Sequence, residues 1–352
     1  MTWKIVLIRL TYYRPKWRLF ILCLAILMML CLLLHIRSDL MISCPACRSA
    51  RKLSGNNVIM DFDFGKYQNM TWETRDEDIP LLTIFTTWNP SMQKPIVYKN
   101  SITNWRSLTS GVRTIVFTND SEITRIAKHG KVDVMPITRM TCFGTPILRT
   151  MFEEVMRLPQ KTKLYAYSNA DIIFNDGLVK TLTEITKSRH FKDGPILIVG
   201  KRIDVNISML NDPKINTTKD VDILAKHGNL SWGFAADFFF TNELFPWEYV
   251  PDLVIGRALI DNWLIWYARR VGAKVIDVTG TVLAVHQLAN GLKRIQSNCN
   301  KAEMWKSKLL PILPLWRGMI ECAAYEAKYN SNGDVLILPK LLLQHICKLG
   351  TT

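Results

Sequence analysis

The chain of 352 residues carries no internal repeat, which excludes solenoids, propellers and other tandem arrays. Acidic side chains are the scarce class, 30 Asp and Glu against 45 Lys and Arg, leaving a formal charge of +15. Residues 1 to 18 contain no acid at all, although Lys4, Arg9, Arg14, Lys16 and Arg18 are basic. Residues 19 to 36, LFILCLAILMMLCLLLHI, contain no formal charge of either sign. Nothing convincing as a small-x-small cleavage site follows Ile36, and the apolar region of a cleaved signal peptide usually runs only about 7 to 15 residues. A signal peptide is therefore the weaker reading of this N-terminus.

Such an uncharged run is near the lower limit for crossing a bilayer of ~30 Å core thickness, so residues 19 to 36 are expected to form a transmembrane signal anchor. Cationic flanks stay cytoplasmic, which makes residues 1 to 18 a cytosolic tail and the remainder lumenal, a type II topology expected in the Golgi or the endoplasmic reticulum. Five Asn-x-Ser/Thr sequons, at Asn69, Asn119, Asn206, Asn216 and Asn229, all follow the apolar run and agree with a lumenal domain. Of eight cysteines, Cys23 and Cys31 fall inside the run, while Cys44, Cys47, Cys142, Cys299, Cys322 and Cys347 are free to pair in an oxidising lumen. Cys44-Pro-Ala-Cys47 has redox-motif spacing but follows no strand, so a structural or intermolecular disulfide is expected there. A lumenal domain meets no nucleic acid. The basic balance fits a phosphorylated ligand, an acidic partner or a plain solvated surface.

Residues 37 to 78 are polar and aperiodic, as in a stem, and a folded domain is expected over 79 to 290 with a C-terminal extension over 291 to 352 packed on it. Within the domain, β-prone runs alternate with helical patterns: LLTIFTTW (81 to 88), TIVFTN (114 to 119), VDVMPI (132 to 137), KLYAYSNADIIF (163 to 174), PILIVGKRIDV (195 to 205), GFAADFFFT (233 to 241) and AKVIDVTGTVLAVHQ (273 to 287). Helices are expected at about 122 to 129, 145 to 158 with Pro146 in an early helical position, 178 to 189 and 258 to 272. This rhythm predicts an α/β fold with a mostly parallel central sheet.

One strand is interrupted by chemistry. In YAYSNADIIF (165 to 174) an apolar run breaks at Asn169 and Asp171 and then resumes. Ligands of open α/β sheets bind beyond the carboxyl ends of strands, where such a carboxylate is reachable and can hold a hard divalent cation. Read alone, Asn-x-Asp is equally a turn.

CFGTPILRTMF (142 to 152), YSNADIIF (167 to 174), VGKRIDVNI (199 to 207), WGFAADFFF (232 to 240), IGRALIDNWLIWYARRVGAKVIDVT (255 to 279) and AVHQ (284 to 287), in this order, resemble nucleotide-diphospho-sugar transferase-like glycosyltransferases of GT-A type. The resemblance runs from about Leu81 to Gln287. It implies a Rossmann-like GT-A fold and transfer of a sugar from a nucleotide-sugar donor to a hydroxyl of a glycan or glycoprotein acceptor. It also implies a divalent cation, Mn²⁺ or Mg²⁺, with Asn-Ala-Asp standing where such enzymes commonly carry Asp-x-Asp.

The resemblance points to Asp171 and His286 as metal ligands, with a donor to the diphosphate as the alternative for His286. Asp261 is the expected general base of an inverting displacement, or a helix-capping carboxylate; a retaining mechanism stays open. Thr86, Thr87, Gly144, Thr145, Asn169, Arg202, Asp237 and Arg257 are the expected donor-binding residues. Lys201 is a similar but separate cation. The competing function is a non-catalytic lumenal glycan-binding or partner subunit that keeps the fold, and a third is phosphate transfer.

Overall fold

The computed structural model describes residues 79 to 340 apart from 90–93, 110, 193, 212, 290–297 and 307–314, together with Cys347. The expected tail, transmembrane segment and stem, with Cys44, Cys47 and the Asn69 sequon, lie outside the described residues. Among the described residues no helix is long and apolar enough to cross a membrane.

The strands are β1 (Leu82–Thr87), β2 (Val112–Phe117), β3 (Asp133–Met135), β4 (Met140–Thr141), β5 (Thr145–Pro146), β6 (Leu164–Ser168), β7 (Ile172–Phe174), β8 (Ile196–Val199), β9 (Ile203–Asn206), β10 (Asn229–Leu230), β11 (Phe238–Thr241), β12 (Lys274–Asp277), β13 (Ala284–Leu288), β14 (Tyr325–Tyr329) and β15 (Val335–Pro339). The helices are α1 (Pro95–Ser107), α2 (Ser121–His129), α3 (Leu148–Met156), α4 (Gly177–Lys187), α5 (Arg189–Lys192), α6 (Thr218–Ala225), α7 (Ile260–Arg270) and α8 (Cys299–Lys306).

A nine-stranded sheet of order β15-β14-β12-β8-β11-β6-β1-β2-β3 forms the centre of the described fold. The pairs β1–β2, β1–β6, β2–β3, β8–β12 and β12–β14 are parallel, whereas β6–β11, β8–β11 and β14–β15 are antiparallel. The sheet is thus mixed but mostly parallel, as the strand-helix rhythm predicts. Its central strands are covered on both faces, which is why they read as continuous apolar runs. Phe85, Tyr165, Tyr167, Leu197 and Phe239 pack with Met151, Phe152 and Val155 of α3 and Trp263, Leu264 and Tyr267 of α7. The alternate residues Ile84, Leu164, Ala166, Ile198, Phe238 and Phe240 pack on the other side with Leu178, Leu182 and Ile185 of α4.

A second sheet, of order β10-β9-β13-β7, corrects the simpler sequence picture. PILIVGKRIDV is two strands, β8 in the large sheet and β9 in the small one, and AKVIDVTGTVLAVHQ divides likewise into β12 and β13. The same hand-over explains the opening motif: YAYS belongs to the large sheet, IIF to the small one, and Asn169-Ala170-Asp171 is the crossing between them. Residues 231 to 237 make a fourth crossing, from β10 to β11. At Gly200 a Cβ would sit 3.1 Å from Phe238 and 3.2 Å from Val278, so a crossing this close to the large sheet favours the smallest residue.

The outer edge of β7 is satisfied by side chains of α1. Asn104 donates to the Phe174 carbonyl at 2.8 Å and accepts its N–H at 2.7 Å, and the Trp105 indole donates to the Ile172 carbonyl at 3.0 Å. The buried polar face of α1 has two uses: Asn104 covers this edge, while Asn100 bonds Gln287, the Pro213 carbonyl and the Ile215 N–H.

Other corrections are local. Pro146 ends β5, paired antiparallel with β4, and α3 begins two residues later. The C-terminal extension contributes β14 and β15 to the large sheet. Cys142 pairs with Cys299 and Cys322 with Cys347, with Cα separations of 5.9 and 5.2 Å.

Candidate functional site

Strand order alone marks where a ligand would sit. From β1 the chain moves outward through β2 to β3, then returns to place β6 on the other flank of β1, and such a reversal opens a crevice beyond the carboxyl ends of the strands. A cavity of about 1120 Å³ lies there, lined by Thr87 after β1, Thr118 and Asn119 after β2, Asn169 to Asp171 after β6, and Arg202 after β8.

Register brings the acidic end of the cavity together. His286 on β13 pairs with Ile172 of β7 on one side and with Asp204 of β9 on the other, and Asp171 immediately precedes β7. The His286 Nε2 lies 3.2 Å from Asp171 Oδ2, and its Nδ1 lies 2.7 Å from Asp204 Oδ1. The same Asp204 oxygen accepts from Arg202 Nε at 2.8 Å, and Arg202 forms a further ion pair with Asp237. Asp237 in turn accepts from the Asn169 amide at 2.7 Å, and Asn169 Oδ1 accepts from the Tyr167 hydroxyl at 2.9 Å. A continuous chain therefore runs Tyr167, Asn169, Asp237, Arg202, Asp204, His286, Asp171, and every member lines the cavity.

Alternating charge sets the ionisation along it. Burial pushes the Asp204 carboxyl up, but hydrogen bonds from His286 and Arg202 outweigh it and hold the group down to about 2. Burial pushes the His286 imidazole down, and the neighbouring Asp171 and Asp204 reverse that, so its pKa lies above the usual value. Burial raises the Tyr167 phenol strongly, and Asp171 and Asp261 add to the rise, so it stays a hydrogen-bond donor.

Backbone contacts fix Asp171 as well. Its carbonyl accepts the Gln287 N–H at 2.9 Å, while the buried Gln287 side chain is tied to α1 through Asn100, Ser101 and the Val97 carbonyl.

Across the cavity stand Phe143, Gly144, Thr145 and Arg257. Cys142, Phe143 and Gly144 have successive positive φ values of 49°, 61° and 78°, a left-handed run that non-glycine residues resist. The Thr145 hydroxyl bonds back to the Cys142 carbonyl at 2.9 Å and the Cys142–Cys299 disulfide ties the run to α8. Arg257 reaches Thr145 Oγ1 at 3.4 Å.

Of the expected site residues, Thr87, Gly144, Thr145, Asn169, Asp171, Arg202, Asp237, Arg257 and His286 line the cavity. Thr86 does not; it is buried at 1% exposure, because its side chain points the other way along β1. Asp261, in the first turn of α7, is not among the lining residues either. Its carboxylate accepts the Ala236 N–H at 3.3 Å, and it stands within electrostatic reach of Tyr167. Through this bond Asp261 touches the loop that carries Asp237. Lys201 points away from the cavity lining into an ion pair with Glu321 at 2.6 Å. Asp204 and Gln287 were missed as participants. Asp204 lies two residues past Arg202 in a strand, the spacing that returns a side chain to the same face, and this was the available signal.

Asp171 and His286 supply one carboxylate and one imidazole on adjoining positions. Asp204 on Nδ1 directs Nε2 at the Asp171 carboxylate, the usual support of a ligating histidine. Among the described residues no group of three or more His, Cys, Asp or Glu is disposed to hold a metal ion. Mg²⁺-like ions commonly take one or two protein groups and complete their shell with phosphate oxygens and water, and this pair fits that mode.

No family model and no curated protein matches the sequence. Among solved structures the chain is similar to S. aureus TarS 1-349 in complex with UDP-GlcNAc, at 12% identity and a TM-score of 0.25, over 36% of this chain and 35% of that one. The match thus spans about a third of the TarS chain. It is also similar to glucosyl-3-phosphoglycerate synthase from Mycobacterium tuberculosis in complex with Mg²⁺ and uridine diphosphate, at 9% identity and a TM-score of 0.39, over 74% of this chain and 87% of that one.

Proposed function

We propose that this chain is a GT-A-type glycosyltransferase that moves a sugar from a nucleotide-sugar donor to a hydroxyl of a glycan or glycoprotein. The observation that carries the reading is the seven-residue chain from Tyr167 to Asp171, gathered at the switch point between β1 and β6 from segments far apart in sequence. The motif resemblance supplies the reaction class. The cavity volume of about 1120 Å³ lies above the roughly 300–1,000 Å³ of common small-molecule sites, leaving room for an acceptor beside a donor.

In this reading the nucleoside lies along Thr87, Thr118 and Asn119, and the diphosphate reaches Asp171 and His286. A divalent cation, Mn²⁺ or Mg²⁺, held by that pair would neutralise the departing diphosphate. Asp204 holds the imidazole with Nε2 facing Asp171. Arg202, pinned between Asp204 and Asp237, holds the β8–β9 and β10–β11 crossings at one spacing. Arg257 and Thr145 close the opposite wall. Asp261 sets the Ala236 backbone and thereby the neighbouring Asp237.

The placement we propose is a Golgi membrane enzyme anchored by residues 19 to 36 with the domain in the lumen. The uncharged run, the sequons and two disulfides support it. The competing view of a non-catalytic glycan-binding subunit rested on Asn169 replacing an acid. Here that amide bridges Tyr167 and Asp237, so its presence has a structural reason that does not require loss of activity.

Thermal shift against a panel of nucleotide sugars, with and without Mn²⁺, followed by donor hydrolysis, tests the assignment. The wild type is expected to be stabilised by a nucleotide sugar more strongly with Mn²⁺ and to release nucleoside diphosphate, and Asp171→Ala to lose both. Absence of any nucleotide-induced shift in the wild type would sink the proposal.

A further inference from the structure

Trp232 exposes 83% of its surface, and Phe234 two residues on exposes 41%. Trp is enriched at binding interfaces, where it offers a large apolar face and an N–H donor. The loop that carries it is firmly held. The Ser231 N–H donates to the Arg202 carbonyl at 2.8 Å, the Gly233 carbonyl accepts from Ile320 at 3.0 Å, and the Phe234 carbonyl accepts from the Asn262 amide at 3.3 Å. Gly233 packs directly on the Glu321 carboxylate, leaving no room for a Cβ. Glu321 also pairs with Lys201, and the adjoining Cys322 is disulfide-bonded to Cys347.

The fastened loop opens beside Arg202 and closes on Asp237, and both of those side chains line the cavity. The indole is thus carried on a loop whose two ends hold cavity-lining side chains, at the end of the chain of contacts away from Asp171 and His286. Beside it stand a half-buried cation and carboxylate, Lys201 and Glu321, both with hydrogen-bonding capacity.

A pyranose ring has an apolar C–H face and a rim of hydroxyls, and it fits an exposed aromatic surface flanked by polar groups. We propose that Trp232 is the stacking platform for a carbohydrate ring of the acceptor, with Lys201 and Glu321 addressing its hydroxyls. The identity of this ligand as an acceptor rests on the glycosyltransferase reading; its identity as a carbohydrate rests on the platform itself. Its pre-organised backbone spares the ordering cost that a mobile loop would meet on binding.

The test uses the full chain in detergent and saturation-transfer NMR with methyl α- and β-glycosides of glucose, galactose, mannose and N-acetylglucosamine. At least one glycoside is expected to receive saturation on its ring C–H protons. Trp232→Ala should weaken its binding about tenfold, and Trp232→Phe should restore most of it. Both variants should keep the wild-type melting temperature and nucleotide-induced thermal shift, since the indole touches solvent and stands off the cavity lining. Wild-type protein that binds none of these glycosides, or Trp232→Ala protein that binds them as the wild type does, would overturn the inference. Trp232-dependent glycoside binding without any nucleotide-induced shift would instead keep the platform and remove the glycosyltransferase reading.

Discussion

The side-chain amide of Asn169 donates to Asp237 Oδ1 at 2.7 Å, so the residue standing where a carboxylate is common faces a carboxylate across the β6–β11 junction. An acid there would meet like charge in a site with little solvent. Asn169→Asp is therefore expected to lower donor turnover by roughly 5- to 150-fold, the cost of breaking one buried charged contact. Asn169→Asp/Asp237→Asn, which exchanges amide and acid, should recover part of that loss. Donor hydrolysis rates of the two variants check this, and a single variant as active as the wild type would contradict it.

Asp204 touches His286 through Nδ1, opposite the ring nitrogen that faces Asp171. Asp204→Asn keeps the shape and removes the charge that orients the imidazole. Its expected effect is a 10- to 100-fold rise, roughly, in the Mn²⁺ concentration needed for half-maximal nucleotide-induced stabilisation. A metal titration followed by thermal shift reads it directly, and an unchanged midpoint would remove His286 from the metal set.

Asp261 is expected to behave as a positioning group. Asp261→Asn keeps an oxygen to accept the Ala236 N–H and should retain activity within about threefold, whereas Asp261→Ala should lose roughly tenfold as one hydrogen bond to the loop disappears. Were Asp261 the proton acceptor, both substitutions would abolish transfer while leaving nucleotide binding intact. Comparing rate with nucleotide affinity in the two variants separates these outcomes.

Burial raises the Glu243 carboxyl above its usual range, against the pull of Lys161. The folded state thus binds this proton more tightly than the unfolded chain does, and stability contributed by the protonated form is lost as pH rises through the folded pKa. Glu243→Gln should melt higher than the wild type near neutral pH, with the difference vanishing below about pH 4, where both states of the wild type hold the proton. Melting curves across pH give the answer; a gap that widens toward acid would refute it.

Much of this architecture was legible in the residues. β1, β2, β6 and β8 announce themselves because buried parallel strands are continuous apolar runs, and Met151, Phe152 and Val155 mark α3 because one face of it meets that sheet. Asp171, Arg202, Asp237 and His286 could be picked as polar interruptions of apolar strands. The small sheet was not legible, since Gly200-Lys201-Arg202 and residues 278 to 283 give no local sign that the next strand joins a different sheet. The contact of Asp261 with the Ala236 N–H was not legible, because a carboxylate in a first helical turn looks the same from sequence whether it faces a ligand or a backbone N–H. β14 and β15 were passed over because Glu326, Lys328 and their neighbours make an edge pair that is polar on one side and carries no strong apolar run.

Among the described residues, four short helix-free segments of backbone pass between the two sheets, at 169–171, 200–202, 231–237 and 278–283. Sliding one layer over the other would strain all of these ties together, so the Asp171–His286 end and the Thr87–Asn119 end of the cavity are held at a common span. On the proposed function, substrates enter at the periphery, past Phe143 and the Trp232 loop, and changes of sugar preference should accumulate in those rims while the junctions stay put.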